Sequence, residues 1–309
     1  MNHTLAAALF YVYVVQTMAA FVAPHRSSSG RNTPGLDPVA VRKTIARSKD
    51  TFLNVVQNAG AIQEGELFPL AQEIFPGAVT YNEMLNYIAD TLLNTGFDIP
   101  KTLLGTSLCC DELNRPLEQL LSKIFDTNYS LGGMAGCPFG GTTSFRKLKS
   151  HIPDGGNAVI VYGTHVGIGT QGQVGSVERK QKEEGDLCCR SAILASEYVG
   201  RVYHGAAPDP PPMDPMDVSQ YYVQNMLQPH AERLEQSANK MVELPYVLYE
   251  EQLQLLRRII KEGSEAGFPG AIAAFGGIQL NTPPGYVDYF VPLNGDLYGE
   301  DGEIISSLF

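Results

Sequence analysis

The stretch TLLGTSLCCDELNRPLEQLLSKIF, Thr102 to Phe125, decides how this chain folds. Its first nine residues form a short apolar run that reads as a buried strand. Its last ten repeat apolar residues at helical spacing, with Pro116 in the first turn. A strand that passes directly into a helix is the opening half of a βαβ unit. The junction holds two adjacent thiols, two carboxylates and a guanidinium, in a chain with only five cysteines.

The same alternation recurs on either side. NAVIVYGTH (157–165) is β-branched and bounded by glycines, which marks a second buried strand. AIAAFGGIQL and YVDYFVP near the end read as two more. Helices are expected from Asp37 to about Asn58, from the capping-box pair Thr80/Glu83 to Gly96, and from about Leu187 to Val202. Two further helices are expected over Val218–Asn239 and Leu248–Glu262. The proline-rich AAPDPPPMDPMD reads as a stiff surface connector. Strands alternating with helices predict an α/β fold, a central, mostly parallel sheet flanked by helices.

With 309 residues, 44% of them apolar, the chain can bury a substantial core. A formal charge of −11 excludes a nucleic-acid binder, which needs a basic face, and adsorption to anionic lipid. Leu5 to Val15 is an apolar stretch of signal-peptide length, too short for a membrane span. FVAPHRSSSGRNTPG follows, serine-rich, with Arg26 and Arg31 and no acid before Asp37. This order resembles the bipartite presequence of algae with complex plastids, with cleavage before Phe21. The expected organisation is therefore a presequence over 1–36, a single domain over 37–309, delivery to the plastid and no membrane insertion after processing. An ordinary secretory signal or a signal anchor, with a secreted or endomembrane destination, is the alternative.

Four of the five cysteines form two doublets, Cys109-Cys110 and Cys188-Cys189, and vicinal thiols are poorly placed to bridge one another. Metal or catalytic chemistry is the better reading. If the strand persists through the first doublet, Cys109 and Asp111 face one way, and Cys110 faces the other as a buried filler. His165 stands at the end of the second strand, where open parallel sheets place their sites. The second doublet lies near a helix start, where the dipole favours a thiolate and one metal takes one thiol of the two. Cys137 reads as structural. Two thiolates and one imidazole make a Cys2His zinc site with a position left open, the mark of a catalytic rather than structural ion. A cysteine-nucleophile hydrolase using Cys109, His165 and Asp111 is the rival reading. The glycines of GTHVGIGTQG are in the wrong register for dinucleotide binding.

Cys109-Cys110-Asp111 fits the Cys-x-Asp start of the β-carbonic anhydrase zinc motif. Together with LFPLAQEIFPGAVTYNEML, SLGGMAGCPFGGTTSF, THVGIGTQGQVG, CCRSA and GGIQLNTPPGYVDYFVP, it makes residues 67–291 resemble the low-carbon-dioxide-inducible B family. That family includes the theta-class carbonic anhydrases of algae. The resemblance implies a β-carbonic-anhydrase-like fold, a homodimer, and zinc (Zn2+) held by Cys109, His165 and Cys189, the last fitting the family pattern better than Cys188. It also implies hydration of carbon dioxide to bicarbonate in a carbon-concentrating role. Two thiolates cancel the formal charge of the metal, so activity is expected to rise toward alkaline pH, and Asp111, held aside by an ion pair with Arg115, is expected to orient the water. An inactive zinc-bearing scaffold of the same family is the alternative. Where the ordinary pattern has arginine two residues after the aspartate, this chain has Leu113. Arg115 is the nearest arginine to pair with Asp111, and Arg146 the next.

Overall fold

Alternate side chains of a strand face opposite ways, and here both faces are apolar. Leu104, Val159, Val161, Ala273 and Phe275 enter one core, while Leu103, Ala158, Ile160, Ile272 and Ala274 enter another. Strands buried on both faces require a helical layer on each. The protein is described by a computed structural model over residues 65, 67–179 and 185–309. The expected presequence and the helix expected from Asp37 to Asn58 lie outside these residues.

In chain order the described elements are α1 (Phe68–Ile74), β1 (Val79–Thr80), α2 (Tyr81–Asn94), β2 (Thr102–Ser107), α3 (Arg115–Phe125) and β3 (Asn128–Ser130). Next come α4 (Gly141–Lys149), β4 (Asn157–Gly167), β5 (Ser176–Glu178), β6 (Gly185–Leu187) and α5 (Arg190–Tyr203). The chain continues through α6 (Val218–Leu227), α7 (Ala231–Gln236), α8 (Lys240–Ser264), β7 (Ile272–Asn281), β8 (Tyr289–Tyr298) and β9 (Ile304–Ser307). The main sheet runs β1-β8-β7-β4-β2-β3, with β9 also paired to β8. Its centre, β7-β4-β2-β3, is parallel, and β8 adds antiparallel to β7. Strands β5 and β6 form a separate antiparallel pair.

Helices α2 and α3 cover one face of the sheet through Met84, Leu85, Ile88, Leu117 and Leu121. The other face is covered by α4 and α8 through Phe145, Leu148, Leu256 and Ile260. A third cluster joins α5, α6, α7 and the start of α8 to Cys109, Cys137 and Cys189. The site therefore lies where a helical cap meets the carboxyl ends of β2 and β4. Among the described residues, no helix is long and apolar enough to cross a membrane.

Local chemistry explains where the expected elements hold and where they shift. The Thr80/Glu83 capping box forms in both directions and starts α2. The helix expected over Val218–Asn239 is instead broken after Leu227, because Pro229 has no N–H to donate and sits in a 3-10 turn. Asn239 ends no helix. Its side chain accepts from Met241 and Val242 N–H and caps α8, which begins eight residues before Leu248 and runs through Pro245.

Candidate metal centre

Strand β2 stops at Ser107, opposite Tyr162 of the longer β4. The chain leaving it runs on beside the end of β4 and brings Cys109 to His165. A loop over 133–137 closes over this crossing. Gly136 has φ +80°, and a Cβ there would lie 2.2 Å from the Gly163 carbonyl, so only glycine lets the loop touch β4. Ser107 Oγ and Gln252 Nε2 tie the loop down by donating to the Gly136 and Ala135 carbonyls (2.9 and 2.7 Å).

The second doublet reaches the same point from the other side. Cys188 is pinned to the end of β4 by hydrogen bonds from Gly167 N–H to its carbonyl and from its own N–H to Gly175 (3.1 and 3.0 Å). Cys189 is the N-cap of α5 and faces Cys109, with the two sulfurs 3.9 Å apart. The ligand atoms of Cys109, His165 and Cys189 all lie within 4.8 Å of one another, and all three residues are buried. Two sulfurs held tetrahedrally at about 2.3 Å from zinc stand about 3.8 Å apart, so the observed pair is spaced for one ion. His165 Nε2 is buried and has no hydrogen-bond partner. Its Nδ1 lies 2.8 Å from Asn281 Oδ1 and 3.4 Å from Cys188 Sγ. The residues present fit a zinc ion.

Electrostatics sharpen the picture. The hydrogen bond with Cys189 holds the Cys109 thiol down at about 4, and it pushes Cys189 well up, helped by burial. The two sulfurs thus share one proton between them. Burial alone would keep His165 neutral, but the surrounding cysteine charges raise it above the ordinary histidine value. Burial pushes Cys188 up, and pushes Cys137 up to about 12, which fits a structural role for the latter in the third cluster.

Asp111 is also at the site, within 4.8 Å of ligand atoms of His165 and Cys188. It caps the turn after the doublet by accepting from Leu113 N–H (3.1 Å). The expected pair with Arg115 is not formed. Arg115, at the start of α3, folds back onto the Cys109 carbonyl (2.6 Å) and onto Glu118. Arg146 lies on α4 and bonds the Glu262 carbonyl. Arg179, just after β5, instead grips Asp111 with both Nη atoms (3.2 and 3.1 Å) and also pairs with Glu112. Burial would raise the Asp111 carboxyl, but Arg179 and His165 outweigh it and hold it below the usual range. Sequence reasoning missed Arg179 because it stands 68 residues from Asp111 in the mixed-charge run ERKQKEE, which carries no mark of its partner. Cys110 also departs from expectation. It is exposed, because the strand has already ended and its N–H bonds Gly133 (3.3 Å).

Fold and site together define a carbonic-anhydrase-like α/β protein. A family model described as limiting CO2-inducible proteins B/C beta carbonic anhydrases matches residues 78–299, and the chain belongs to that family. The crystal structure of PtLCIB4, a homolog of the limiting CO2-inducible protein LCIB, is 38% identical and superposes with a TM-score of 0.74, covering 78% of this chain and 99% of that one. LCIB itself shares the fold at 18% identity and a TM-score of 0.61, over 76% of this chain and 95% of its own. No curated protein sequence matches.

Proposed function

We propose that this protein is a zinc-dependent carbonic anhydrase that interconverts carbon dioxide and bicarbonate in an algal carbon-concentrating role. The observation that carries the reading is the buried trio Cys109, Cys189 and His165, with two sulfurs at zinc spacing and an imidazole nitrogen left without a partner. A zinc ion held there supplies a Lewis acid that makes water a competent nucleophile near neutral pH. Cys109, His165 and Cys189 are the residues that would hold it.

The chain's own groups do the rest. Asp111 is near enough to the trio to compete for the open position, and the two-pronged grip of Arg179 restrains it. Held ionised, Asp111 only accepts hydrogen bonds. It therefore turns one hydrogen of the attacking water toward itself and leaves a lone pair for carbon dioxide. Arg115 fixes the backbone of Cys109 rather than the carboxylate. Ala135, Ala192, Ile193, Leu244 and Leu248 line a narrow cavity beside His165, and Phe139 packs against the same cluster.

The rival nucleophile set of Cys109, His165 and Asp111 meets a geometry in which Asn281, not Asp111, bonds the histidine. A second sulfur 3.9 Å from the first belongs to a metal cage rather than to a nucleophile. Zinc analysis and a hydration assay on residues 37–309 test the proposal. One zinc per chain is expected, with turnover climbing toward alkaline pH because two thiolates offset the charge of the metal. A flat profile from about pH 6.5 to 9 contradicts it, and zinc without turnover selects the inactive scaffold. Plastid delivery and a homodimer belong to the same proposal. Residues 1–36 fused to a fluorescent protein should reach the plastid, and the purified domain should have twice the chain mass in solution.

A further inference from the structure

We infer that Asn281 is a positioning residue for the metal centre: it fixes which nitrogen of His165 carries the proton and so presents the other to zinc. The inference rests on the zinc reading above and adds a residue to which that reading gives no role.

The backbone puts Asn281 in place. His165 on β4 pairs in register with Gln279 on β7, so Asn281, two residues further, emerges on the same face of the sheet as the histidine. It is the last residue of β7 and fully buried. Its side chain has one orientation only. Nδ2 lies 3.1 Å from the Leu113 carbonyl, which can only accept, so the amide nitrogen belongs there and Oδ1 must face the histidine. That oxygen is 2.8 Å from His165 Nδ1. An amide oxygen cannot donate, so Nδ1 keeps its proton, and the proton that zinc displaces is the one on Nε2. The lone pair is then on Nε2, the buried nitrogen that has no partner. The same oxygen is 3.6 Å from Cys188 Sγ, so its second lone pair takes that S–H. Leu113 thereby gains a function of its own. At the position where the ordinary motif carries arginine, this chain uses a backbone carbonyl to hold the amide that holds the histidine.

Outer partners of this kind change metal affinity about 10–100-fold when removed. The test uses the full domain with zinc. Asn281→Leu removes the acceptor, and Asn281→Asp keeps it while giving up the donor to Leu113. Zinc affinity is measured by competition with a chromophoric chelator. The His165 side-chain nitrogens are followed by 15N NMR of the zinc-loaded protein. Wild type should show a metal-shifted Nε2 and a downfield, slowly exchanging Nδ1 proton. Asn281→Leu should lose about 10–100-fold in affinity, and its Nδ1 proton should move upfield and exchange faster. Asn281→Asp should keep the Nδ1 proton signal, because a carboxylate oxygen still accepts it, with affinity lowered where the Leu113 carbonyl no longer holds the side chain. If Asn281→Leu does not fold, the Nδ1 signal of Asn281→Asp decides: its retention supports the assignment, and its loss overturns it. A folded Asn281→Leu with wild-type affinity and an unchanged Nδ1 signal also overturns it. Zinc uptake without carbon dioxide hydration sinks the enzymatic reading and leaves Asn281 in its role. A wild-type protein that takes up no zinc sinks both.

Discussion

Of the two vicinal cysteine pairs, the first leaves the end of a strand and the second leads into a helix. At the first, β2 has stopped, the turn toward α3 begins, and Cys109 goes inward while Cys110 goes to solvent. At the second, Cys188 is clamped against β4 and Cys189 caps α5, so both sulfurs are buried. One doublet therefore contributes a single thiol to the site, whereas the other contributes two, one toward Cys109 and one toward His165 and Asn281. Identical dipeptides acquire different chemistry from the hydrogen bonds their backbones make.

The hardest way to break this comparison is to remove the paired sulfurs. Cys109→Ser and Cys189→Ser should each reduce bound zinc from one per chain to less than about a tenth, and abolish hydration. Next in size is the carboxylate clamp. Asp111→Asn and Arg179→Gln should lower turnover about 100-fold with zinc retained, as loss of one preorganised polar contact does. Arg115→Ala should cost less than about tenfold; a larger loss for Arg115 than for Arg179 would reverse the assignment made from the geometry.

Lowering pH probes the protons that the cluster holds. The cysteine pair retains one and His165, raised by its neighbours, retains another. Zinc must displace both, so affinity should fall as pH is lowered, which competition titrations at several pH values will show. Cys188→Ala should weaken zinc less than about tenfold, since it removes a neighbour of His165 and not a ligand. Cys110→Ser should change nothing, and with zinc bound Cys110 should be the cysteine that iodoacetamide labels first. The smallest effect concerns Asp288, whose carboxyl burial pushes up to about 6. A carboxyl raised on folding favours the protonated form. Its contribution is full below the ordinary carboxylate value and is lost as pH rises through about 6. Asp288→Asn should therefore flatten the melting temperature over that interval.

Much of the scaffold was legible because it rests on local rules. The capping box at Thr80, Pro116 in a first turn and the β-branched run before His165 are each satisfied by near neighbours. Helix limits between Val218 and Glu262 were misread for a local reason of a different kind. Asn239 looks like the end of one helix but caps the next, and Pro245, a residue that usually breaks helices, is carried inside α8. In the site, Cys109 and His165 stood out as rare residue types at strand ends. Arg179 did not, because an arginine in a charged run carries no mark of its partner, and only the β5–β6 pairing folds it back onto Asp111.

The sequence alone determined the layered α/β scaffold and the kinds of ligand on offer, since periodicity, caps and residue chemistry act over a few residues. The tertiary structure alone decided which sulfur faces which, that Arg179 rather than Arg115 restrains Asp111, and that Asn281 orients His165. Those contacts join residues 68 to 116 positions apart. Contacts at such separations depend on strand register and on where each strand stops, and no local pattern encodes either.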